Sequence, residues 1–83
     1  MIHFDSCLVL MSKTGQSSRG NVWTNLQFLD QNTLNVYNIM QFGEAASVAA
    51  GLSHGDTVSL DFILEPDTRN GGVRLNLVGI GRI

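Results

Sequence analysis

The sequence predicts an all-β domain: five strands closed into a Greek-key barrel, with one short helix between the third and fourth strands. Three observations predict it. Five runs carry the two-residue alternation or the dense apolar content of strands. One stretch, Gly43 to Gly55, switches to helical spacing. The gaps between runs are polar or glycine-rich, and nothing in the 83 residues divides the chain, so one core serves all of it.

The first run, Ile2 to Met11, holds a solid apolar block from Cys7 to Met11. Such a block predicts a strand buried on both faces, inside a closed barrel or at a dimer seam. Ser12 to Asn21 is rich in Ser and Gly and reads as a mobile loop. From Asn21 to Asp30, Val22, Leu26 and Phe28 point one way and Trp23, Asn25 and Gln27 the other. Asp30, Gln31 and Asn32 form a polar turn that folds the third run, Thr33 to Phe42, back as a hairpin. Asn35 and Asn38 fall on opposite faces of that run, which predicts a bulge.

Ala45, Val48, Ala49 and Leu52 then share one helical face, and Gly55 is the stop. Thr57 to Glu65 alternates most cleanly, with Val58, Leu60, Phe62 and Leu64 on the apolar side. Beyond a loop from Pro66 to Gly72, Val73, Leu75 and Leu77 alternate with Arg74 and Asn76. Gly79 and Gly81 are placed to bend the last strand, as a barrel requires. The order strand, strand, strand, helix, strand, strand belongs to the oligonucleotide/oligosaccharide-binding (OB) fold. Its ligand face is the surface of strands two and three, flanked by the loops between strands one and two and between strands four and five.

Charge is concentrated at those loops. Of only five basic residues, Lys13 and Arg19 lie in the first gap, and Arg69 and Arg74 lie in or just after the second. The only tryptophan, Trp23, follows the first gap directly. Cations beside an outward aromatic suit a single nucleic-acid strand, the cations on phosphates and the ring on a base. The formal net charge of −2 argues against tight binding driven by bulk charge, so contact with a polyanion must come from local placement. A single cysteine, Cys7, excludes an internal disulfide and a multi-cysteine zinc site. No signal peptide is expected, and no apolar run approaches the ~20 residues of a membrane span. The expectation is a soluble, cytoplasmic protein of a bacterial or phage-infected cell.

The run NVYNIMQFGEAASVAAGLSHGDTVSLDF, Asn35 to Phe62, resembles the middle of bacterial single-stranded-DNA-binding proteins: an aromatic third strand ending in Phe-Gly, a short helix, then Gly-Asp and an alternating strand. The closing NGGVRLNLVGIGRI is similar to the last hairpin of that fold, including the related primosomal replication proteins. The size and the Met-Ile start are similar to the helix-destabilising proteins of filamentous phages. The resemblance implies sequence-tolerant binding of single-stranded DNA in replication, recombination or phage DNA handling. The implied partners are single-stranded DNA, further copies of the chain in a homodimer or larger homo-oligomer, and replication or recombination proteins. The net charge is more acidic than a phage-type coating protein carries.

The candidate nucleic-acid contacts are Lys13, Arg19, Trp23, Asn25, Gln27, Tyr37, Phe42, Arg69 and Arg74. A lone Trp is often a core residue, but its face-mates Asn25 and Gln27 put Trp23 on the polar side. Tyr37 and Phe42 lie on opposite faces of a regular strand. Polarity favours Tyr37 outward with Asn35 and Gln41, the family resemblance favours Phe42 outward with Asn38, and a bulge presents both. The bland reading of each cation is a solvated surface charge. Cys7 reads as a core residue, and His3 and His54 as surface residues without ligand spacing. Asp61 and Glu65 share an outward strand face with no nucleophile or oxyanion donor beside them. Gly79-Ile80-Gly81 lacks the third glycine of a dinucleotide site. No catalysis, cofactor or metal is expected. The competing class is a protein-interaction module on the same barrel.

Overall fold

A computed structural model describes residues 1–68 and 71–82 of the chain. The alternating runs form five strands, β1 (Ile2–Gln16), β2 (Val22–Asp30), β3 (Asn35–Phe42), β4 (Thr57–Pro66) and β5 (Val73–Arg82), and α1 (Gly43–Ala49) joins β3 to β4. All ladders are antiparallel, in the order β3-β2-β1-β4-β5. The chain is all-β with one short helix. Among the described residues no backbone ladder joins β3 to β5, so the sheet is not closed by main-chain pairing as the barrel expectation required.

β1 is the spine. Its first half pairs with β4 and its second half with β2, with a register shift on each side, Phe4/Cys7 toward β4 and Val9/Met11 toward β2. An extra residue unmatched by the partner bends a strand and raises its twist, so β1 coils and carries its two neighbours around the core. A third shift, opposite Asp61/Phe62, leaves Val78 as the extra residue of β5 beside Gly79.

The concave side holds Cys7 and Val9 of β1, Leu26 and Phe28 of β2, Val58, Leu60 and Phe62 of β4, and Leu77 of β5, all buried. Four rings fill one end. Phe28 stacks on Phe62 at 5.9 Å and on Tyr37 at 5.4 Å, with Phe4 edge-on to Phe28 at 5.2 Å. Truncating a buried phenylalanine such as Phe28 to alanine costs about 3–5 kcal/mol. Burial pushes the Cys7 thiol up to about 11, with the Asp30 and Asp5 carboxylates adding to it, so Cys7 is an inert core residue.

The other end is covered by α1. Ala45, Ala46 and Ala49 are buried, and Leu52 in the following turn joins the core. Two hydroxyls from the sheet tie down its carbonyls: Thr24 Oγ1 donates to Ala46 O and Ser12 Oγ to Ala49 O, each at 2.8 Å. With the Thr24 proton so committed, Thr14 Oγ1 is the donor in its 3.0 Å bond to Thr24. Gly43, at φ +60°, makes the corner from β3 into the helix. Among the described residues no helix is long and apolar enough to cross a membrane.

Several sequence expectations change. The predicted Ser12–Asn21 loop is strand as far as Gln16, because Ser12–Gln16 pair with Leu26–Val22; the connection is only residues 17–21. Small polar residues carry a loop signal, but cross-strand pairing overrides it here. Cys7 to Met11 is not buried on both faces: Cys7 and Val9 are buried, while Leu8, Leu10 and Met11 are half-covered on the convex side. The helix ends at Ala49 rather than running toward Gly55, since Val9 draws the backbone of Gly55 and Asp56 into the sheet. β3 needs no bulge, as its register with β2 is unbroken from Asn35 to Phe42. The turn before it centres on 31–34, where buried Asp30 accepts from Asn32 N and Thr33 Oγ1.

Candidate nucleic-acid interface

Register settles which side chains share the convex face of β1, β2 and β3. Directly paired residues point the same way. Trp23 pairs with Gly15 and Phe42, Asn25 with Lys13 and Met40, and Gln27 with Met11 and Asn38. Each row runs across three strands. Thr24, Leu26 and Phe28 turn inward and are buried, so Trp23, Asn25 and Gln27 stand outward and half-buried, as the alternation predicted.

Trp23 lies across its β1 partner. A Cβ at Gly15 would overlap the six-membered part of the indole. The missing side chain is what lets the ring lie flat on the sheet. Beside it Phe42 is 51% exposed and Met40 42% exposed, which are large apolar groups left in water.

The rim supplies cations. Lys13 is exposed in the row of Asn25 and Met40. Arg19 is exposed in the β1–β2 connection, a tight loop in which Ser17 N donates to Asn21 O and Gly20 N to Ser17 O. Arg74 is exposed near the start of β5. A cleft of about 400 Å³ gathers the end of the β1–β2 connection (Asn21, Val22), the β3–α1 corner (Phe42, Gly43) and the β4–β5 hairpin (Asp67, Thr68, Arg74). Both predicted loops therefore meet at Phe42. Among the described residues Lys13, Arg19 and Arg74 form no ion pair. Arg69 lies outside the described residues.

Tyr37 is a correction. It pairs with Phe28 on the concave side and packs against Phe4 and Phe28, so the polarity argument that turned it outward fails. Its face-mates Asn35 and Gln41 misled that argument. Gln41 is polar but fully buried, because its amide has partners: Nε2 donates to Leu75 O at 3.0 Å and Oε1 accepts from Leu77 N at 2.9 Å. Asn38 lies outward with Phe42, as the family resemblance favoured, and Met40 and Met11, which the sequence reading did not single out, share that face. The two-residue spacing Asn38, Met40, Phe42 carried that signal once no bulge was assumed.

The other polar groups are engaged elsewhere. His3 Nδ1 lies 2.5 Å from Asp61 and Nε2 2.7 Å from Asp5, and a carboxylate beside each ring nitrogen favours the imidazolium. The bond to Asp61 chiefly raises its pKa above the ordinary 6.5. Asp56 accepts from Ser53 N and from Arg82, which together lower its pKa. His54 is exposed. Among the described residues no group of three His, Cys, Asp or Glu is placed to hold a metal ion. No protein-family model matches the chain, and no curated protein matches it significantly.

Proposed function

We propose that the chain binds single-stranded DNA without sequence preference, laying bases on Trp23 and Phe42 and phosphates on Lys13, Arg19 and Arg74, with no chemistry performed. The observation that carries this reading is the direct pairing of Trp23 with Phe42 on one outer face, at the end where Arg19 of the β1–β2 connection and Arg74 near the start of β5 form no ion pair among the described residues. Flat rings accept any base, because every base has a π-face, and each stack is worth ~1–3 kcal/mol. Gln27 and Asn38 add amide donors and acceptors between the rings and the far end of the sheet, whereas Asn25, in the row of Lys13 and Met40, keeps its Oδ1 buried without a hydrogen-bond partner. Arg69 belongs to the same hairpin as Arg74 by sequence and completes the set.

The strand order supports an OB-type domain in this role, with its helix between β3 and β4. Replication, recombination or phage DNA handling, within a homodimer or larger homo-oligomer, is the setting this reading implies. The test is titration with an oligothymidine at low salt while following Trp23 fluorescence. Quenching with a matching mobility shift is expected; neither signal appearing would end the proposal.

One observation favours the competing reading, a protein-interaction module. The outer face carries exposed Val36, Met40 and Phe42 against a single central cation, Lys13. On that reading alanine at Lys13, Arg19, Arg69 and Arg74 together leaves function intact.

A further inference from the structure

We propose that Gln41 is a positioning residue for this interface, its side-chain amide replacing one peptide unit of a strand pairing that the backbone does not make and so fixing the span between Phe42 and Arg74. The inference rests on the single-stranded-DNA reading above. Four antiparallel steps separate β3 from β5 in the sheet order, so the two strands run the same way. A residue in a parallel ladder donates its N–H to the carbonyl before its counterpart and accepts from the N–H after it. The Gln41 amide does both, toward Leu75 O and Leu77 N, with Asn76 as the counterpart. The groups are those of a single parallel bridge, with the donor and acceptor supplied by a side chain.

The reason lies in the local chain path. β3 stops at Phe42 and turns at Gly43 into α1, whose Ala45 and Val48 face the Asn76–Val78 stretch of β5 across a groove of about 310 Å³. The methylenes of Gln41 span the gap its backbone leaves. The two residues flanking the bridge are ligand candidates: Phe42 directly follows Gln41, and Arg74 directly precedes Leu75. Both line the same cleft. A shift of β3 against β5 would move the ring away from the cation, and one strand of DNA could no longer engage both. Gln41 itself faces the core and touches no ligand.

The experiment is a double-mutant cycle read by oligothymidine affinity: wild type, Gln41→Met, Arg74→Ala and the pair. Gln41→Met should weaken binding about tenfold, and Arg74→Ala should matter several-fold less in that background than in wild type, since the cation no longer acts with the ring. Purely additive effects overturn the proposal. Gln41→Asn, which keeps the amide but shortens its reach, runs the same cycle if Gln41→Met is unstable. A chain that unfolds on either change makes Gln41 a core residue only and overturns it as well. If the wild-type chain binds no oligothymidine, the DNA reading falls by itself. The bridge is then read from the Leu77 amide, whose hydrogen exchange should be slow in wild type and fast in Gln41→Met.

Discussion

β5 carries an arginine near each end, and the two are used differently. Arg82 bonds the Asp56 carboxylate at 2.9 Å and reaches the Gly51 carbonyl at 3.3 Å, fastening the last strand to the turn after α1. Arg74 has no ion pair among the described residues and lines the cleft beside Phe42. The same contrast runs across the sheet. Where β1 meets β4, His3 is held between two carboxylates; where β1 meets β2, Lys13 stands beside Asn25 and forms no ion pair among the described residues. A cation held by its own chain is spent on the fold. A cation left in water next to exposed rings is available to an anion, which is the local placement the proposed binding requires of a chain of net charge −2.

The contrast can be broken most directly at the rings. Trp23→Ala and Phe42→Ala should each weaken oligothymidine binding by ~1–3 kcal/mol, measured by mobility shift, with little change in thermal stability. Gly15→Leu should imitate the Trp23 loss with the ring still present, because the new side chain displaces the indole. Next is Arg74→Ala, which removes one phosphate contact: affinity falls a few-fold and the slope of log affinity against log salt becomes shallower by about 0.7. Arg82→Ala tests the opposite end. Its DNA affinity should equal wild type while its thermal midpoint is lower at neutral pH.

The Arg82 effect has a pH signature. The folded-state pKa of Asp56 is depressed below 3.8, so its stabilisation is present above that value and is lost as pH falls through the folded pKa. The gap between Arg82→Ala and wild type should therefore close in acid. His3 gives the smallest effect, with the opposite sign. Its folded pKa is raised above 6.5, so its stabilisation is complete below 6.5 and disappears as pH rises through the folded value. The thermal midpoint of His3→Asn should trail wild type below 6.5 and converge with it in alkali.

Much of the outer face was legible. Trp23, Asn25 and Gln27 alternate against Val22, Leu26 and Phe28, and only one phase of that pattern buries the apolar set. β3 was harder, because its inward residues include Gln41 and Asn35 while its outward ones include Val36, Met40 and Phe42. Polarity reverses on that strand, and no single-strand pattern reveals that a buried glutamine has found two backbone partners on β5. Lys13 illustrates a milder loss. Its neighbours Ser12, Thr14 and Gly15 read as loop, yet pairing with β2 makes them strand and sets Lys13 in a row with Asn25.

Alternation and turn chemistry are local properties, and they suffice for the five strands and one helix in order, the burial phase of β2 and β4, and the clustering of cations near two connections. Long-range contacts set which face of β3 meets water, which cations are held by carboxylates and how β3 is fastened to β5. Those outcomes depend on partners far away along the chain, as between Gln41 and Leu77 or Arg82 and Asp56, and only the folded sheet brings them within bonding distance.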